Sequence, residues 1–179
     1  MNNEELIKAC IRGDQLACKQ LYDRFAPQMY ALCLRYTQSD LAAQDVLHDG
    51  FIKVFDSLHK LRDASALGVW IRSIMINTAI NNWHHEHHNT DTDDLPDNIE
   101  SSYSTTSDIY SSIDIKVILD EIRQLTPAYR MAFNLCEVEG YDFDAAAKKL
   151  GIKTSSVRAN LVRAKQILAL KLSKIYKQS

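Results

Sequence analysis

The chain has 179 residues, enough for one ordinary domain or two small ones. Apolar residues make up 46% and charged residues 25%, an ordinary globular composition, and no apolar run reaches the length of a membrane span. The formal charge of −2 conceals a segregation: residues 1–88 carry nine basic and ten acidic side chains, residues 89–113 carry six acidic and no Lys or Arg, and residues 145–179 carry nine basic and no acidic ones.

The N-terminal stretch MNNEELIKAC lacks a basic segment followed by an apolar one, so no secretory signal is expected there. Cys10, Cys18, Cys33 and Cys136 show no C-x-x-C spacing and fall in helix-like apolar patterns. They are expected to be buried, reduced thiols of a cytoplasmic protein. Leu6, Ile7, Cys10 and Ile11 have helical spacing before Gly13-Asp14, which stops one helix and caps the next. Leu21, Tyr22 and Phe25 lead up to Pro27, and Met29, Tyr30, Cys33 and Leu34 continue on one face. The clearest helix opens at Asp40, with the stripe Ala43, Val46, Leu47, Gly50, Phe51, Val54, Phe55 and Leu58. A further helix runs from about Trp70 towards the histidines of WHHEHH, residues 83–88.

Residues 91–112 are rich in Ser, Thr and Asp, with no helical or strand period. They read as an acidic flexible linker between two all-α domains, residues 1–90 and 113–179. In the second domain, Ile115, Ile118, Leu119, Ile122 and Leu125 form a stripe ending at Thr126-Pro127. Pro127 suits the first turn of a helix running to about Glu139, where Gly140 ends it. A short helix over about 144–150 ends at Gly151, and Thr154, Ser155 or Ser156 can cap a final helix. That helix has the apolar face Val157, Leu161, Ala164, Leu168, Leu172 and Ile175.

A short helix, a glycine turn and a second helix opening on small polar residues is the pattern of a helix-turn-helix. Ala145, Ala146 and Ala147 are small enough for a crossing helix, and Gly151 tolerates positive φ. Thr154, Ser155, Ser156, Arg158 and Ala159 would face base edges, with Lys148, Lys149, Arg163 and Lys165 on phosphates. The other reading of this face is the solvated basic side of a three-helix bundle. In the first domain, Asn77, Asn81 and Asn82 offer amide pairs to an extruded base, and Arg62 and Arg72 offer phosphate contacts. Trp70 reads more readily as a core aromatic than as a base contact.

With both halves in hand, the chain resembles a sigma factor of the extracytoplasmic-function (ECF) type, of the sigma-70 family. AAQDVLHDGFIKVFDSL is similar to the family's A-x-D-x-x-Q-x-x-F stretch: Ala43, Asp45 and Phe51 match, and His48 stands where glutamine is usual. LRDASALGVWIRSIMINTAINNW resembles the segment that melts and reads the −10 element, with Trp70, Ile74, Asn77 and Ala79 in step. The stretch from Leu125 to Leu168 resembles the −35-reading domain, matching at Pro127, Arg130, Glu139, Gly140, Tyr141, Ala147, Gly151, Val157 and Arg163 among others. It departs at Ala145, where a Glu is usual.

The resemblance implies a non-catalytic specificity subunit, with no cofactor and no metal. Its partners would be core RNA polymerase, through the β′ clamp coiled coil and the β flap, and promoter DNA, with an anti-sigma factor as the regulatory partner such proteins commonly have. It assigns Asp45, His48, Asp49 and Phe51 to the polymerase. It assigns Arg62, Trp70, Arg72, Asn77, Asn81, His84 and His85 to −10 DNA, with the linker running through the polymerase cleft. Relatives usually carry Arg and Lys where His84 and His85 stand. His84 shares a helix face with His87 and His88, but two ligands and one Glu make an incomplete zinc site, and Asn89 denies the cluster an H-E-x-x-H motif. A stand-alone helix-turn-helix regulator is the alternative; it would footprint DNA without polymerase.

Overall fold

The computed structural model describes residues 2–87 and 115–177; the acidic segment expected as a linker, and His88, lie outside them. Among the described residues the fold is all-helical, with eight α-helices and no strand. None of these helices is long and apolar enough to cross a membrane.

Helix α1 (Asn3–Ile11) opens on a capping box. The Asn2 side chain accepts from the Glu5 amide, and the Glu5 carboxylate accepts from the Asn2 amide, at 2.9 and 3.0 Å. Gly13, at φ +83°, turns the chain, and Asp14 then caps α2 (Gln15–Tyr36) by accepting from the amides of Leu16 and Ala17. Helix α2 continues through Pro27 without interruption. Pro27 is exposed, so water can reach the backbone group that the missing N–H leaves unpaired.

Helix α3 (Asp40–Ser57) opens at Asp40 as expected, capped by Ser39. Its stripe is buried as the spacing predicts: Ala43 and Val54 are fully buried, and Gly50 lies against Met75 of the next helix. Two short 3₁₀ turns, Leu58–Lys60 and Ala64–Ala66, lead into α4 (Leu67–His87), which begins three residues before Trp70. Helices α2, α3 and α4 enclose a core centred on Leu21, Leu32, Val54, Ile71 and Met75, all at 0% exposure. Each such aliphatic side chain contributes about 1.5–3 kcal/mol on leaving water.

In the second half, α5 (Ile115–Arg123) precedes α6 (Pro127–Phe133), which Pro127 starts as expected. Ile115, placed on the stripe by its spacing, is 81% exposed; burial begins with Ile118 and is complete at Ile122 and Leu125. Helix α6 widens into a π turn, Asn134–Val138, closed by the Glu139 amide donating to the Asn134 carbonyl at 2.9 Å. Gly140, at φ +76°, ends it. Helices α7 (Phe143–Leu150) and α8 (Thr154–Lys177) follow, and α8 packs along α6 and across α7. The two halves share one continuous core, in which Met131, Leu135, Ala146 and Leu161 join the residues of α1–α4.

Candidate nucleic-acid interface

The helix-turn-helix is assembled from local chemistry. Asp142 caps α7 by accepting from the Ala145 amide at 2.7 Å. Ala146 and Ala147 are buried, and their small size lets α8 cross closely. Gly151 takes the left-handed conformation at φ +67°, and the Ile152 amide then donates to the Ala147 carbonyl. The serines do not cap α8. Thr154 is already its first residue, and its hydroxyl donates to the Asp144 carboxylate at 2.8 Å, tying α8 to α7.

Val157 and Leu161 anchor α8 in the core, so the opposite side of its first two turns faces outward. Ser155, Arg158 and Ala159 are exposed there, while Thr154 and Ser156 are half-buried. The Arg158 guanidinium lies 5.1 Å from the Phe143 ring centroid, which holds a long side chain in one direction. Lys148 is exposed and Arg163 half-buried. Lys165, expected on phosphate, is paired with Glu137. Lys149 leans over the Tyr141 ring at 5.1 Å and donates to the Asn77 side-chain oxygen at 3.0 Å.

In the first half, Asp45, His48 and Asp49 form one exposed edge of α3, at i, i+3 and i+4. Phe51 does not belong to that edge: at 3% exposure it packs in the core, its ring 4.6 Å from that of Tyr22. Periodicity, which put Phe51 on the buried stripe, prevails over the motif that made it a contact. Arg62 is exposed on the loop between α3 and α4, and Asn81 and His85 are exposed on α4. Trp70 is half-buried against the core.

Three of the predicted −10 contacts touch the second half of the protein, Asn77 while still exposed to solvent. Arg72 binds Glu139 through Nε and Nη2, both at 2.9 Å to its carboxylate oxygens. Asn77 accepts from Lys149. The His84 ring lies 4.7 Å from that of Trp83, tilted by 49°, and beside the Gly151 turn, where its Cε1 would be 3.9 Å from an added Cβ. The described side chains do not extend to His87 and His88, its helix-face partners.

Residues the sequence reading passed over complete this contact. Arg35 also donates to Glu139, at 2.9 Å. The Asn134 amide donates to the Arg35 carbonyl at 2.8 Å, and Arg123 binds Asp40 at 2.7 Å. Arg130, 2% exposed, donates to the carbonyls of Leu125 and Tyr36, and burial lowers its pKa to about 10. Burial also pushes the Tyr36 hydroxyl well above the usual phenol range. Arg130 and Glu139 stand in the motif, but no local pattern relates Arg35 to Glu139, Asn134 to Arg35 or Arg123 to Asp40, because each pair joins distant parts of the chain.

A helical bundle that carries exposed polar edges is joined here to a helix-turn-helix with an outward basic helix, an all-helical protein of two parts. The comparisons specify which. The family model described as Sigma-70 region 2 matches residues 21–88, and that described as Sigma-70, region 4 matches residues 115–168. The chain belongs to the sigma-70 family, as an ECF-type sigma factor. The ECF RNA polymerase sigma-E factor of Haemophilus influenzae is 24% identical over 183 residues, covering 96% of each chain. That of Escherichia coli K12 is 24% identical over 188 residues, covering 99% of this chain and 98% of its own. Among solved structures, the sigma factor RpoE bound to the anti-sigma factor NepR from Bartonella quintana shares the fold with a TM-score of 0.53 at 20% identity, over 87% of this chain and 96% of that one. CnrH in complex with the cytosolic domain of CnrY does so with a TM-score of 0.50 at 17% identity, over 96% and 97%.

Proposed function

We propose that this sigma factor binds core RNA polymerase and directs initiation at promoters whose −35 duplex is read by α8 and whose −10 element is opened and read by α4 and the loop before it. The exposed first turns of α8, with Ser155, Arg158 and Ala159 outward and Lys148 beside them, carry the reading. Short polar groups at that point reach base edges in a major groove, and the flanking cations hold phosphates. The bundle, residues 1–90, is the −10 and polymerase module, and residues 113–179 are the −35 module. The exposed edge Asp45, His48 and Asp49 is the polymerase contact on α3.

The protein acts by binding and positioning, without catalysis or cofactor of its own, in the cytoplasm where its polymerase works. An anti-sigma factor is the regulatory partner, a reading supported by the Bartonella quintana sigma factor, whose structure is of its complex with an anti-sigma factor.

Run-off transcription from a genomic promoter library, with core enzyme and this protein, tests the reading. Promoter-dependent transcripts that vanish without the protein are expected. A sequence-specific footprint by the chain alone, with no transcript in the presence of core enzyme, would favour a stand-alone regulator and sink the proposal.

A further inference from the structure

We infer, resting on the base contact proposed above for Arg158, that Phe143 is a positioning residue for DNA recognition: its ring holds the Arg158 guanidinium in one reading direction. Preference at one base pair of the −35 duplex then depends on a side chain of α7, outside the reading helix.

Arg158 is the one long side chain among the outward residues Ser155, Arg158 and Ala159; the other two have almost nothing to orient. An exposed arginine samples many rotamers, and a bidentate grip on a base edge selects one of them. The Phe143 ring makes part of that selection before DNA arrives. The guanidinium carbon lies 5.1 Å from the ring centroid, within the range of a cation–π contact. A ring engages only the face of the guanidinium and leaves the N–H groups in its plane available to an acceptor. Lys165 is held differently, by the Glu137 carboxylate, which engages its ammonium directly.

The platform is itself anchored. Phe143 is the first residue of α7, half-buried and packed against the core. On one side of it, Asp142 caps the helix by accepting from the Ala145 amide at 2.7 Å. On the other, Asp144 accepts from the Thr154 hydroxyl at 2.8 Å. Thr154 and Arg158 are four residues apart and share a face of α8. The first turn of α7 therefore meets two successive turns of the reading helix, Asp144 at Thr154 and Phe143 at Arg158. The first contact ties the two helix starts together, and the second directs the long side chain. An aliphatic residue at position 143 could fill much of the same space, but it lacks the negative face of a ring. That difference separates a positioning role from packing alone.

The test uses holoenzyme assembled with the unaltered chain, with Phe143→Leu, Phe143→Tyr or Arg158→Ala, and with the Phe143→Leu, Arg158→Ala double variant. The probe is a duplex library whose −35 region is randomised, upstream of the −10 element of a promoter mapped in the run-off assay. Sequencing of the bound fraction gives the preference at each base pair. Circular dichroism establishes that each variant keeps its helices.

Arg158→Ala is expected to flatten the preference at one base pair. Phe143→Leu should reduce it at that same base pair by about two- to fivefold and leave the other positions as they were. Phe143→Tyr, which keeps the ring, should retain it. The double variant should be no flatter there than Arg158→Ala, because the two side chains act as one unit. An unchanged preference in Phe143→Leu, or an equal loss at every position, overturns the positioning role while leaving Arg158 as the reader. A library in which Arg158→Ala flattens no position overturns the base contact itself and the positioning role with it. The transcription assay addresses the sigma-factor reading separately.

Discussion

Glu139 and Arg72, 67 positions apart, share two hydrogen bonds of 2.9 Å, and the carboxylate that joins them is almost fully buried. Glu139→Ala would strand the Arg72 and Arg35 guanidinium groups against a partly dry wall. Hydrogen bonds to charged groups are worth about 1.5–3 kcal/mol each, and removal of one member of a buried pair costs more than the pair contributes. Both arginines retain access to water, which recovers part of the loss. A destabilisation of about 1–3 kcal/mol is expected for Glu139→Ala in urea unfolding, and a smaller one for Glu139→Gln. An unchanged midpoint for the alanine variant would mean that water already serves these groups.

The outward face of α8 makes a second prediction, in two parts that differ in kind. Arg158 is exposed in the second turn and steadied by Phe143, as a base-reading side chain must be. In the holoenzyme, Arg158→Ala should cost about 1–3 kcal/mol and relax the preference at one base pair of the −35 element. Lys148→Ala should weaken all sequences alike and lower the salt slope of binding by about one. Salt-titrated anisotropy on matched and mutated duplexes separates the two. Equal loss on every sequence for both variants would make Arg158 a phosphate contact only.

What could be read from sequence was what local chemistry decides. The Ala43–Leu58 stripe, the Asp14 cap, Pro127 at a helix start and Gly151 at the turn are each fixed by a few neighbouring residues, and each stands in the structure. Phe51 was drawn two ways, by its period and by a motif, and the structure places it in the core. The serines before Val157 looked like caps because three candidates stood in a row, but the Asp144 carboxylate holds Thr154 inside the helix. Glu139 was legible as part of a motif and not as the carboxylate that joins Arg35 and Arg72. Its partner Arg35 lies 104 positions away, and nothing in the spacing of charges relates the two.

Gly50 tests the close approach of α3 and α4. A Cβ built there would fall 2.2 Å from the Met75 sulfur and 2.8 Å from its terminal methyl. Met75 is fully buried, so its flexible end has little room to retreat. Alanine would gain about 1 kcal/mol of helix propensity, against an overpacking cost of about 1–3 kcal/mol. Gly50→Ala should therefore be neutral to destabilising by about 2 kcal/mol, and Met75→Val in the same chain should recover part of the loss. A stabilised single variant, measured by urea unfolding, would show that the helices move apart easily.

The thiols give a pH dependence with a definite sign. Cys33 is fully buried between helices, and burial pushes its thiol up to about 12 from an ordinary value of 9.0. Cys10 is raised to about 12 as well, first by burial and then by the Cys18 thiol beside it. Between these limits the folded chain keeps protons that the unfolded chain has released. Stability therefore holds its full thiol contribution below about pH 9 and declines as pH rises towards 12, by at most about 1.4 kcal/mol per pH unit for Cys33. Urea midpoints at about pH 8 and pH 10 measure the decline. Cys33→Ala loses some packing at both values, but its slope with pH should be shallower than that of the unaltered chain. In the native protein at about pH 8, Cys33 should also resist a thiol reagent that labels the half-exposed Cys18. Equal slopes together with rapid labelling of Cys33 would show that α2 opens locally, and that this thiol titrates as it would in water.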